Sequence, residues 1–270
     1  MSSAAAHAKI NLALVVGPLR PDGKHEVVTV LQRLALADDV AVEASAQLEV
    51  EGFSDDTLVR DALVALASEA GCEPRWRATI TKRIPVAAGL GGGSSDAATA
   101  LRLANALLPE PLDLGALLSL AARLGADVPF FLAEGPQRGS GDGSELRPLA
   151  LSLDYAVVLV VPHGISKQST AAVYRAFDHR GGPVGFDARC QALDATVAEL
   201  GQARDLVRLP PNDLASSPLA RRLEDLRAFR ADVSGAGPTV YGLFDDRVTA
   251  AAAVRELSDE GRTIVTSPAW

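Results

Sequence analysis

Three groups of residues in this 270-residue chain have types and spacings that could do chemistry. The first is Ile84-Pro85-Val86-Ala87-Ala88-Gly89-Leu90-Gly91-Gly92-Gly93-Ser94-Ser95-Asp96, which opens onto an alanine-rich apolar stretch. A helix start exposes backbone N–H groups and carries positive partial charge, so a glycine run ahead of one lets phosphate approach closely. The same residues also describe a flexible turn before a helix capped by Ser94 or Ser95, with Asp96 in its first turn. The second group is Lys9 and Asn11, which alternate with apolar residues from Ala8 to Leu14 and share a strand face with His7. That face is either solvated or reserved for a ligand. The third is Asp127, set among apolar residues in Gly125-Ala126-Asp127-Val128-Pro129-Phe130-Phe131-Leu132. It reads either as the cap of a short helix or as a carboxylate held close to a reacting group.

The glycine stretch is not a P-loop, because no Gly-Lys-Ser/Thr follows, and it does not fit the dinucleotide fingerprint G-x-G-x-x-G. Its context must therefore carry the argument. Arg77 to Ile84 alternates as a strand that delivers the chain into the loop, and Ala97 to Leu108 repeats apolar residues at helical spacing beyond it. Upstream, Ala8 to Leu14 reads as a strand, Arg20 to Glu26 as a turn around Pro21-Asp22-Gly23, Val27 to Leu36 as a strand and Val40 to Val50 as extended. Helices are expected over Leu58 to Ala70, stopped by Gly71, and over Leu112 to Leu124, stopped by Gly125. Gly135 to Gly143 reads as a second glycine-rich loop.

A change of character between Leu149 and Asp154 suggests a boundary that divides the chain into residues 1–150 and 151–270. Past it, Tyr155 to Val161 is a near-continuous hydrophobic run, expected as a central strand buried on both faces. Helices follow around Gln168 to Phe177, Ala188 to Leu200 and Pro218 to Ala228. A third glycine turn at Ser234-Gly235-Ala236-Gly237 leads into a strand, and a helix (Thr249 to Leu257) and a strand (Arg262 to Thr266) complete the pattern. The alternation predicts an α+β chain.

Composition narrows the function classes. Hydrophobic residues make up 48% and charged residues 22%, which describes a soluble globular protein with ample core. The net charge of −8, with no basic block, argues against general nucleic-acid binding, so an anionic ligand needs locally placed donors. Cys72 and Cys190 form neither a disulfide framework nor a zinc pattern, and the four histidines do not cluster. No segment approaches membrane-spanning length, and the expected setting is a reducing cytoplasm.

Taken together, the strand with Ala8-Lys9-Ile10-Asn11, the loop from Pro85 to Ser95 and Ser234-Gly235-Ala236-Gly237-Pro238-Thr239 resemble the three motifs of the GHMP kinases. Arg20-Pro21-Asp22-Gly23-x-His25-Glu26, Gly125-Ala126-Asp127-Val128-Pro129 and Ser169-Thr170-Ala171-x-Val173-Tyr174 extend the resemblance over nearly the whole chain. They are most similar to members that act on a cytidine-diphosphate-linked alcohol. The resemblance implies a two-domain fold, an N-terminal domain like the second domain of ribosomal protein S5 and a ferredoxin-like C-terminal domain. It implies an ATP-dependent small-molecule kinase, with Mg2+ accompanying ATP, working without nucleic acid or membrane as a monomer or weak homodimer.

By the same resemblance Asp127 accepts the hydroxyl proton and Lys9 steadies charge at the transfer centre. Pro85, Gly89, Leu90, Gly91, Gly92, Gly93, Ser94 and Ser95 would hold ATP. Asn11, Lys24, His25, Thr170, Ser234, Gly235 and Gly237 would contact the substrate. Where the family has Tyr before the histidine, this chain has Lys24, and where the second glycine loop usually carries Arg, it has Asp142. Two other readings stay open: a GHMP kinase for a different alcohol, and a nucleotide-binding regulator on the same fold.

Overall fold

The computed structural model describes residues 2–53, 57–164 and 169–269. Its contacts divide the chain into two compact units, each assembled from several stretches. The first comprises residues 1–8, 36–86 and 91–134; the second comprises 9–35, 87–90 and 135–270.

The first unit packs helices on a small sheet. Strand β2 (His25–Ala44) contributes its later half, paired antiparallel to β4 (Trp76–Thr81), and β4 pairs in parallel with β3 (Glu49–Glu51). Val40, Val42, Trp76, Ala78 and Ile80 turn one sheet face into the core. Helix α1 (Leu58–Glu69) meets it with Val59, Leu63 and Leu66, residues at the i, i+4, i+7 spacing of one helix face. Helix α2 (Gly92–Asn105) adds Leu101 together with Ala97 and Ala104, whose small side chains let α1 and α2 approach closely. Helices α3 (Leu114–Leu124) and α4 (Val128–Leu132) complete the unit, and the Asp113 carboxylate caps α3 by accepting from the Ala116 N–H.

The second unit holds β1 (Ser2–Leu19) from Lys9 onward and the first half of β2, which pairs antiparallel with β5 (Gln137–Ser140). Strand β5 in turn pairs with β6 (Glu145–Pro148). Its other sheet has the order β10-β7-β9-β8, all antiparallel, built from β7 (Ala156–Pro162), β8 (Arg230–Val233), β9 (Val240–Phe244) and β10 (Gly261–Thr266). The apolar run at β7 is an inner strand, as its two-sided hydrophobicity predicts. One face is covered by α7 (Pro218–Asp225) through Leu223 and by α8 (Arg247–Glu256) through Ala250 and Ala253. Helices α5 (Thr170–His179) and α6 (Phe186–Val197) complete this unit, and α5 packs Val173 and Phe177 on Leu14, Val16 and Val27.

Several elements differ from expectation. Residues Val27 to Leu36 and the extended run after them form one continuous strand to Ala44 rather than two. Gly135 to Gly143 is not a loop: it contains β5, and the turn at 141–144 closes a hairpin with β6. The helix expected from Ala97 to Leu108 starts at Gly92 and ends at Asn105, whose side chain turns the chain by bonding both the N–H and the C=O of Leu112. Neither serine caps it. Gly91 occupies the N-cap in the left-handed region (φ 70°), so the helix recruits two of the glycines, and Asp96 lies beyond the first turn. The helix expected from Gln168 runs from Thr170, and Gln168 itself lies outside the described residues.

Candidate active site

Strand β1 points Lys9 and Asn11 to one side, and both are buried, at 4% and 5% exposure. A buried ammonium is costly unless hydrogen-bonded, and here the partner is one step along the same face. Lys9 Nζ donates to Asn11 Oδ1 at 2.7 Å, Asn11 Nδ2 donates to Thr29 Oγ1 at 2.8 Å, and Thr29 Oγ1 donates to Ala13 O at 2.7 Å. This one-directional chain orients the Asn11 amide with its oxygen toward the cation. The face left open between solvation and ligand binding is therefore not a solvated one.

Two glycine motifs of the second unit close around this pair. The Lys9 N–H donates to Leu90 O at 2.9 Å, and Ser234 Oγ donates to Gly89 O at 3.1 Å. The turn at Ser234–Gly237 is tied by the Gly237 N–H to Ser234 O at 3.0 Å. Asn212 anchors it by donating to Val233 O and Gly235 O at 2.8 and 2.7 Å. Gly235 has φ +59°, and a Cβ there would sit 3.3 Å from Asn11 Oδ1 and 3.7 Å from Lys9 Nζ. Lys9, Asn11, Gly89, Leu90, Ser234, Gly235 and Gly237, far apart in sequence, thus form one cluster.

A second cluster of this unit surrounds His25. Its Nε2 lies 2.9 Å from Asp178 Oδ1, and its ring centroid is 4.7 Å from that of Tyr174, with the planes 33° apart. Thr170 is exposed at the start of α5, one turn from Tyr174 on the same helix. Lys24 forms an ion pair with Asp142.

In the first unit, Gly91 stands at the N-cap of α2, where Gly92, Gly93 and Ser94 present the first-turn N–H groups, with Ser95 buried behind them. Pro85 lies on the approach. Beneath it, Lys82 Nζ bridges two fully buried carboxylates, Asp38 at 2.5 Å and Asp96 at 2.6 Å. Burial works to lower the Lys82 pKa, but the hydrogen bonds to Asp38 and Asp96 outweigh it and hold the ammonium above its ordinary value. Asp38 also accepts from the backbone N–H groups of Arg83 and Ile84, fixing the turn that enters the loop. Asp127 stands at the N-cap of α4 but makes no side-chain capping bond, which removes the capping explanation for this acid.

Sequence reasoning assigned no role to Asp38, Lys82, Asn212, Tyr174 or Asp178, although Tyr174 stands in one of the motifs that carry the resemblance. The acid pair Asp38-Asp39 inside an apolar strand pattern was a usable signal, since a buried carboxylate requires partners. Asn212 and Asp178 carried no comparable signal. Among the described residues no helix is long and apolar enough to cross a membrane, and no group of three or more His, Cys, Asp or Glu converges as a metal cage.

Comparison with known proteins adds three findings. Residues 57–135 match the model of the GHMP kinases N terminal domain, and residues 198–263 match that of the GHMP kinases C terminal domain. Two curated relatives, from Pseudarthrobacter chlorophenolicus and Nocardia farcinica, are each named 4-diphosphocytidyl-2-C-methyl-D-erythritol kinase. Each is 37% identical; the match covers 95% of this chain and 88% and 89% of the relatives. A solved 4-(cytidine 5'-diphospho)-2C-methyl-D-erythritol kinase superimposes with a TM-score of 0.81 at 32% identity over all of both chains. A mevalonate kinase shares the fold at a TM-score of 0.74, 14% identity and 99% coverage of each chain.

Proposed function

The chain belongs to the GHMP kinase family, and from that premise we propose that it transfers the γ-phosphoryl group of ATP to the C2 hydroxyl of 4-diphosphocytidyl-2-C-methyl-D-erythritol, in the non-mevalonate route to isoprenoid precursors. The observation that carries this reading is the buried Lys9 ammonium, oriented by Asn11 and seated against the Ser234–Gly237 turn. Phosphoryl transfer asks a protein mainly for alignment and for charge placed where the transition state develops it.

In this reading the Asp127 carboxylate takes the proton from the C2 hydroxyl as its oxygen attacks the γ-phosphorus. The bond to the β,γ-bridging oxygen breaks and ADP leaves. Lys9 stabilises the equatorial phosphoryl oxygens, and Pro85 with the backbone from Gly89 to Ser95 holds the ATP phosphates. Asn11, His25, Thr170, Ser234, Gly235 and Gly237 take the cytidine substrate. Tyr174 supports the cytidine assignment by offering an aromatic face beside His25, which Lys24 cannot supply. Residues 1–150 act as the ATP-binding domain and 151–270 as the C-terminal domain, in a cytoplasmic monomer or weak homodimer that binds no nucleic acid.

Magnesium would neutralise phosphate charge during transfer. The test is Asp127→Asn: kcat should fall about a thousandfold with ATP affinity within a few-fold of wild type. Unchanged turnover would remove Asp127 from the mechanism.

A further inference from the structure

The turn that carries His25 is held from two sides. Residues 20–26 span the connection from β1 to β2 and the first two residues of β2, with the Arg20 N–H donating to Lys24 O at 2.7 Å and the Gly23 N–H donating to Arg20 O at 3.0 Å. The Arg20 guanidinium braces the same turn against Asp22 at 3.3 Å and Glu26 at 3.0 Å. From its tip Lys24 reaches Asp142, 118 residues away in the turn of the β5–β6 hairpin. Beside this contact the Val27 N–H donates to Gly141 O at 2.7 Å, so backbone and side chain join the two turns.

The Asp142 carboxylate is itself held in place. One oxygen takes the Lys24 ammonium; the other accepts from the Ser144 N–H at 3.1 Å and from Ser144 Oγ at 2.6 Å. Its side chain is 12% exposed, against 51% for Lys24. A carboxylate fixed by its own turn is an anchor, and the more exposed lysine is what it restrains. The neighbouring His25 is held on its other flank by Asp178 and Tyr174 of α5. Two carboxylates from separate elements therefore grip consecutive residues of one short turn.

We propose that Lys24 and Asp142 are positioning residues: their ion pair locks the 20–26 turn so that His25 is set against Tyr174 to receive the substrate's base. Lys24 then acts through Asp142 rather than by binding the substrate's diphosphate. This inference rests on the cytidine reading above. An ion pair this exposed contributes little to global stability, so its effect belongs in substrate affinity.

The test uses Lys24→Glu, Asp142→Lys and the double charge swap, with initial rates measured for the cytidine substrate and for ATP separately. Each single reversal should raise the KM for the cytidine substrate about fivefold while the KM for ATP stays within about twofold. The swap should return the substrate KM to within about twofold of wild type, because the pair is restored with its ends exchanged. If the swap is as impaired as Lys24→Glu while Asp142→Lys is not, the lysine contacts the substrate directly and the proposal fails. Hydrogen exchange of the amides in residues 20–27 is read in the same proteins without substrate. Faster exchange in both single variants and recovery in the swap are expected, and equal exchange throughout would overturn the lock. Because exchange does not depend on turnover, a wild-type enzyme inactive on the cytidine compound would defeat the proposed function without deciding the lock.

Discussion

Gly89→Ala tests whether the glycine loop and the Ser234–Gly237 turn form one structure. Gly89 has φ +79°, and a Cβ there would lie 2.7 Å from Gly237 O and 2.8 Å from Ser234 O. Both are backbone oxygens, which cannot swing aside as a flexible side chain would. Gly23 supplies the control, because it has nearly the same φ (+80°) with nothing within 4 Å of the added atom. Gly23→Ala should therefore cost only the left-handed backbone term, about 1–2 kcal/mol. Gly89→Ala carries that term plus overpacking of about 1–3 kcal/mol, so the pair should differ by roughly that second amount. The turn must also shift by several tenths of an ångström beside Lys9, which should lower kcat/KM at least about tenfold. Urea unfolding and steady-state kinetics on both variants supply the two readouts. Equal stability loss in the two, with catalysis intact in Gly89→Ala, would refute the account of this contact.

Lys82→Met should be strongly destabilising, by about 3–5 kcal/mol, because it leaves the fully buried Asp38 and Asp96 without their shared cation; a loss under about 1 kcal/mol in urea unfolding would contradict this. Asp142 is pushed up by burial, but its bonds to Lys24 and Ser144 win and hold it below its ordinary value. Its contribution is thus present above about pH 4 and lost as pH falls through the depressed pKa. The stability gap between wild type and Asp142→Asn should accordingly be constant near neutrality and shrink in acid; a gap that widens below pH 4 would reverse the sign. Burial raises the Cys190 thiol to about 11, whereas Cys72 is exposed. At pH 8 only about one Cys190 in a thousand is thiolate, so iodoacetamide followed by peptide mass mapping should label Cys72 first; preferential labelling of Cys190 would contradict its environment.

What the sequence disclosed and what it hid have a common physical basis. Local periodicity was enough for α1, α3 and the inner strand β7, since each buries a face that its own residues encode. The three glycine and lysine motifs were visible as separate stretches, but their meeting around Lys9 depends on hydrogen bonds between residues 9 and 90 and between 89 and 234. Where local rules failed, a distant partner had overridden them. Asp38 breaks the apolar pattern of β2, yet the strand continues because Lys82 and two backbone N–H groups satisfy the acid from another segment. Gly139 looked like loop material, yet it pairs with Thr29 in β2 and Leu146 in β6. Lys24 and Asp142 each looked like an isolated departure from the family pattern, and only the folded chain makes them a pair.

The assigned chemistry is tested most directly by the wild-type protein's product. Incubated with ATP and 4-diphosphocytidyl-2-C-methyl-D-erythritol, it should release one ADP for each substrate consumed, and 31P NMR should place the new phosphate monoester on C2. An analogue lacking the C2 hydroxyl should give no ADP above background. Absence of any phosphorylated cytidine product, while another alcohol is turned over by the same preparation, would contradict the account.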